Sequence, residues 1–191
     1  MSIFTLAHGY KLPISKEMAR VFAVLTMLVL IMLGAYVRIP LPFTPVPITL
    51  QTFFVILGAS ILGRKLSLLA TGSYLILGIF GLPVFQGYNA GITYLFGPTG
   101  GYLMGFMAAS LVVGHLMDIR QRSFVSTISI LALGQALIYL FGISWLAFLL
   151  KISIPEALYL GMIPFLPGAA CKLISASVVH KKIGARIKSS I

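Results

Sequence analysis

Acidic residues are almost absent from this chain: 191 residues hold three, Glu17, Asp118 and Glu156. Cysteine and tryptophan occur once each, and histidine three times. Each scarcity closes a class of function. A single cysteine, Cys171, excludes an internal disulfide, and its apolar sequence context makes it a small packing residue. The scattered acids, with His8, His115 and His180, form no cluster suited to a metal ion, to hydrolysis or to general acid–base catalysis. Charged residues make up 9%, against the ~25% usual in soluble domains. Hydrophobic types reach 59% and the mean hydropathy is +1.06. A soluble domain of this length could not hide so many apolar side chains.

What is present instead is a series of apolar runs, several near the ~20 residues that cross a bilayer. The net charge of +11 does not signal nucleic acid. The basic residues lie in short clusters between the apolar runs, as in a membrane protein. Continuous runs, rather than ten-residue alternation, favour helices over a β-barrel. Six spans are expected: residues 19–37, 47–62, 67–82, 101–117, one from 124 that loses regularity near Gly142, and one from Gly161 or Gly168 to 179. The predicted fold is an all-α integral membrane protein with six transmembrane helices and irregular outer-side loops around a pocket. Residues 1–18 form an N-terminal segment, 19–180 the membrane domain and 181–191 a basic tail. No small-x-small cleavage site follows the basic lead, so the first run is read as retained.

Charge bias orients the chain. With both termini inside, Lys11, Lys16, Arg20, Arg64, Lys65, Arg120, Arg122, Lys181, Lys182, Arg186 and Lys188 are cytoplasmic, and only Arg38 and Lys151 are outside. Lys172 falls within the sixth span. Three irregular segments then share the outer side: 38–47, 83–100 and 144–167. The first belongs to "RIPLPFTPVPITLQ", residues 38–51, with four prolines. Proline fixes φ, so a stiff wall loses little entropy on ordering. Non-helical backbone at membrane depth requires protein or a cavity around it. The three segments are therefore expected to fold over one another and close an outward cavity.

Candidate contacts follow from polar groups in that region. A lysine within a span is costly and faces a cavity or a partner. Lys172 either snorkels to a headgroup region or binds a substrate carboxylate or carbonyl oxygen, and the second reading is preferred. Arg38 is an interfacial anchor or meets an anionic substrate at the cavity mouth. Gln86, Tyr88 and Asn89 offer amide and hydroxyl groups in the second irregular segment, for substrate or for turn capping. Gln51, Tyr74, Tyr102 and Gln135 lie within spans, where they can bond across helices; the first three are counted with the substrate contacts. "GPTGGY", residues 97–102, lacks the lysine and hydroxyl of a phosphate loop, so no nucleotide is expected.

Four segments carry a family resemblance: "IPLPFTPVPITLQTFFVILGASILG" (39–63), "LILGIFGLPVF" (75–85), "LFGPTGGYLMGF" (95–106) and "GMIPFLPGAACK" (161–172). Long, ordered and closely spaced, they resemble the BioY family, the biotin-binding S components of energy-coupling-factor transporters. The resemblance implies a six-helix protein of the bacterial cytoplasmic membrane that captures biotin on its outer side. It implies a transmembrane coupling protein and two ATPase subunits as partners, with ATP used there, and no metal or cofactor in this chain. The family pattern "PFLPGD" followed by lysine three residues on is matched at Lys172 but has Ala169 where the aspartate would fall. That removes an acceptor for a ureido N–H, which Gln86 or Asn89 would replace, or it retunes the same fold to a biotin relative or another small vitamin precursor. Small residues at Ala19 and Ala23 match the family's spacing for docking onto the coupling protein, or serve internal packing.

Overall fold

The computed structural model describes residues 15–119 and 123–191. Lys11, Arg120 and Arg122 lie outside the described residues. The order is α1 (Lys16–Tyr36), β1 (Arg38–Ile39), β2 (Ile48–Thr49), α2 (Gln51–Ile79), α3 (Ile92–Leu95), α4 (Gly100–Ile119), α5 (Phe124–Leu150), α6 (Ile154–Gly161), α7 (Leu166–Val179) and α8 (Ala185–Ser190). Single 3₁₀ turns cover Gln86–Tyr88 and Ile163–Phe165, and a wide π turn joins α7 to α8. The helices are apolar on all sides, with large side chains such as Phe80, Val125 and Phe148 facing outward, the pattern expected where lipid replaces water.

Against the six spans predicted, five helical stretches are long and apolar enough to cross a membrane: α1, α2, α4, α5 and residues 154–190. The second and third expected spans both fall in α2. This helix is broken at Gly63, whose φ of 73° and ψ of −176° are non-helical. Its arms lie side by side, because Gln51 Nε2 donates to the Tyr74 hydroxyl at 2.6 Å. A straight helix would hold those residues about 35 Å apart. Asp118, at the end of α4, stabilises the turn by accepting from the Arg64 N–H at 2.9 Å. The arm from Gln51 to the turn rises only about 18 Å, well short of the ~30 Å hydrocarbon core.

Two boundaries differ from expectation. α5 does not lose regularity at Gly142 but runs to Leu150, where Lys151 closes it in a left-handed conformation with φ 55°. Gly142 is a packing position, since a Cβ there would run into the Tyr102 ring. Residues 144–167, expected to be irregular, are mostly helical. α6 begins with a reciprocal cap in which Ser153 and Glu156 satisfy one another's backbone N–H groups.

Basic residues segregate along the bundle. At one end the Arg20 side chain donates to the Ile191 oxygen at 2.6 Å, and Lys188 pairs with Asp118 at 3.0 Å. These contacts gather the start of α1, the α2 turn, the end of α4 and α8. Arg38 and Lys151 belong to the opposite end, where α1 and α5 finish. Residues 181–191, read as a tail, are largely helical.

Candidate functional site

The three segments expected on the outer side do meet. β1 and β2 pair antiparallel, Arg38 opposite Thr49, and the prolines lie in the loop between them or beside β2. Thr44 in that loop donates to the Leu160 carbonyl at 2.9 Å, which ties it to the end of α6. The second segment is fastened to α1: the Tyr36 hydroxyl donates to the Pro83 carbonyl at 2.8 Å. Trp145 of α5 donates to the Gly97 carbonyl at 2.9 Å. Irregular backbone is thus satisfied by neighbouring segments, as low-dielectric surroundings require.

Beneath these segments is a cavity walled by the start of α2, its second arm, α4, α5 and α7. Its free space is about 70 Å³, several times the ~10–15 Å³ that one water needs. The lining is aromatic and neutral-polar. α4 supplies Tyr102, Leu103 and Phe106; α5 supplies Gln135, Ile138 and Tyr139; and the α7 region supplies Phe165, Ala169 and Lys172. Val46, Pro47, Ile48, Thr49, Gln51, Thr52, Tyr74, Gln86, Tyr94 and Thr99 complete it. No acidic side chain appears in this lining. Asp118 is occupied at the α2 turn and Glu156 at the α6 cap, while Glu17 sits in the first turn of α1. Lys172 therefore makes the cavity positive.

Lys172 does not reach for a headgroup region. Its ammonium donates to the Thr49 carbonyl at 2.5 Å and to the Thr52 hydroxyl at 3.2 Å. An ammonium has three N–H donors, so one remains for a ligand oxygen. The same contacts fasten the proline-rich hairpin to α7, which makes Lys172 a wall-builder as well as a cavity donor. Gln51 and Tyr74 are buried in the lining and joined to one another, as described above. Tyr102 also lines it, with its hydroxyl donating to the Gly161 carbonyl at 2.8 Å.

The outer loop residues divide. Gln86 lines the cavity. Arg38 does not, but its guanidinium donates to Gln86 Oε1 at 3.2 Å, so it holds a lining residue from outside. Asn89 is turned away, its amide donating to the Gln86 carbonyl at 2.8 Å. Tyr88 has a positive φ of 61° and rests on the Tyr36 ring with centroids 4.6 Å apart. Neither Asn89 nor Tyr88 belongs to the lining; both are turn residues, whereas Gln86, the other expected acceptor, is in it. Cys171, expected to pack, is exposed. Ala19 and Ala23 are half-buried, and Ala23 packs against the core.

Sequence reasoning missed Thr49, Thr52, Tyr94, Thr99 and Tyr139 in the lining. Helical spacing held part of the signal. Phe165, Ala169 and Lys172 are four and three apart, and Gln135, Ile138 and Tyr139 repeat at three and one. Each set presents one helical face. The threonines gave no such signal: Thr49 and Thr52 are brought in beside Lys172 of α7, and Thr99 by its place just before α4.

Comparisons agree with this architecture. The BioY family model matches residues 9–189. A biotin transporter BioY of Thermotoga maritima is 41% identical over 154 residues, 81% of this chain and 89% of its own length. A probable biotin transporter BioY of Pyrococcus horikoshii is 38% identical over 146 residues, 76% of this chain and 85% of its own. A crystal structure of the S-component for biotin from an ECF-type ABC transporter superposes with a TM-score of 0.80 at 25% identity, covering 96% of this chain and 94% of that one. With its sequence matched over residues 9–189 by the family model and 41% identical to a relative over most of both chains, the chain belongs to the BioY family.

Proposed function

We propose that this chain is the substrate-capturing S component of a biotin uptake system in a bacterial cytoplasmic membrane. The observation that carries the reading is the cavity itself: one ammonium, no carboxylate, aromatic walls and a ring of amide and hydroxyl groups, closed over by a proline-stiffened hairpin. Biotin has a flat ureido ring with one carbonyl oxygen and two N–H groups, an apolar thioether ring, and an anionic tail. Lys172 suits a ligand oxygen, Phe106 and Phe165 suit the rings, and the amides suit the ureido edge. A neutral-to-positive site also disfavours cationic solutes.

The chain provides binding rather than energy. Coupling to ATP is assigned to partner subunits, a transmembrane coupling protein and two ATPases, with Ala19 and Ala23 of α1 offered as part of the docking face. The expected result is saturable binding of labelled biotin to the detergent-solubilised chain, displaced by desthiobiotin, which keeps the ureido ring, and not by lipoate, which lacks it. Uptake by cells making the chain with and without the partner subunits, and with bulky residues at Ala19 and Ala23, reads the partner assignment. Preferential binding of another biotin relative would retune the substrate, and absence of any saturable binding would overturn the reading.

Six membrane spans are proposed, with each arm of α2 counted once. Both termini are assigned to the cytoplasm, because the gathered basic end fits the inner face. Topology reporters fused at either end are expected to signal from inside. An outside signal from either would invert the bundle and move the pocket to the other face.

A further inference from the structure

The cavity is rich in donors and poor in free acceptors. Three glutamines line it. Gln51 Oε1 accepts from the Thr49 hydroxyl at 3.3 Å. Gln86 Oε1 accepts from Arg38 at 3.2 Å. Gln135 is 5% exposed; its side chain interacts with the Tyr139 hydroxyl one turn on, while its Oε1 is buried without a hydrogen-bond partner among the described residues. Ala169, also in the lining, offers only a methyl group. A buried acceptor left unmade is costly, and such exceptions call for an explanation.

We infer that Gln135 is a specificity-determining residue whose Oε1 accepts a hydrogen bond from a substrate N–H. The residue stands eleven positions into α5, on the face it shares with Ile138 and Tyr139. The Tyr94 hydroxyl, also in the lining and unpartnered among the described residues, can donate to a ligand oxygen as Lys172 does, while Gln135 Oε1 can only accept. The assignment rests on the reading of the cavity as a biotin site, and it names the atom that meets one ureido N–H. A site built to bond an N–H rejects analogues that lack it more strongly than an apolar pocket rejects a change of shape.

The test pairs variants with ligands. Biotin is compared with its two cyclic carbamate analogues, in each of which one ureido N–H is replaced by oxygen. Wild type is expected to bind one carbamate about ten-fold or more weaker than biotin. Gln135→Met, close in volume but without the acceptor, is expected to bind biotin about ten-fold weaker and to lose most of its preference for biotin over that carbamate. Gln135→Glu keeps an acceptor and is expected to keep the preference. A merely structural role would lower affinity for all ligands alike. Wild type that binds both carbamates as tightly as biotin overturns the assignment, even if Gln135→Met fails to fold. So does a folded Gln135→Met with undiminished preference. Wild type that ignores biotin altogether overturns the underlying site reading, and this assignment with it.

Discussion

Lys172→Ala is expected to weaken biotin binding by at least about thirty-fold in a protein that remains monodisperse. Removing one partner of a buried charged hydrogen bond costs roughly 2–5 kcal/mol. At about 1.4 kcal/mol per tenfold, the loss lies between about thirty-fold and several thousand-fold in Kd. Two contributions add here. The ligand loses its ammonium donor, and the Thr49 carbonyl and Thr52 hydroxyl lose the group that holds them. The second loss loosens the proline-rich hairpin, so binding would also have to reorder that wall. Isothermal titration separates the terms when Lys172→Arg is included. Arginine keeps the charge but replaces a compact ammonium with a planar fork, and an intermediate loss is expected. Near-wild-type affinity in Lys172→Ala would sink the direct contact.

Gly63→Ala is expected to lower the apparent melting temperature in detergent by roughly 5 °C or more. At φ 73° and ψ −176° the residue occupies backbone space that is essentially restricted to glycine, at a cost of about 1–3 kcal/mol for any other residue. A Cβ there would also fall on the Asp118 carboxylate. That carboxylate cannot retreat without giving up the Arg64 N–H and the Lys188 ion pair. For a chain of this size each kcal/mol moves the midpoint by about 2–4 °C. Gly81→Ala is the matched control. It too has a positive φ, 98°, but no atom lies within 4 Å of its Cβ position, so its effect should be smaller. Equal losses at both sites would remove the steric argument, and an unchanged midpoint in Gly63→Ala would contradict the turn itself. Biotin affinity is expected to fall with stability, because the turn is what sets Gln51 against Tyr74 at the cavity wall.

Much of the site could be read from residue type. A polar or charged group in an apolar run has few places to go, and this singled out Lys172, Gln51, Tyr74 and Tyr102, all of which line the cavity. Residue type failed in the loops. Gln86, Tyr88 and Asn89 look equivalent in sequence, yet only Gln86 reaches the lining. Asn89 is consumed by its own turn and Tyr88 is turned onto Tyr36, outcomes set by local backbone geometry. Gln135 was visible as a polar residue within a span, but whether its Oε1 has a partner shows only once its neighbours are placed.

Composition alone determined that this chain belongs in a membrane, since no fold buries so much apolar surface against water. Helical rather than barrel structure followed from the continuity of the runs, and the segregation of basic residues from their spacing. Tertiary structure decided what those patterns could not. The break in α2 falls between the expected spans 47–62 and 67–82, but that a single glycine makes the turn, held by Asp118 of α4, shows only in the structure. Gly142, a breaker by type, lies inside a continuous helix because the Tyr102 ring needs the space. Thr49 of the hairpin and Thr52 of α2 become Lys172 partners only through contacts between residues more than a hundred positions apart, and local sequence preference carries no information over that distance.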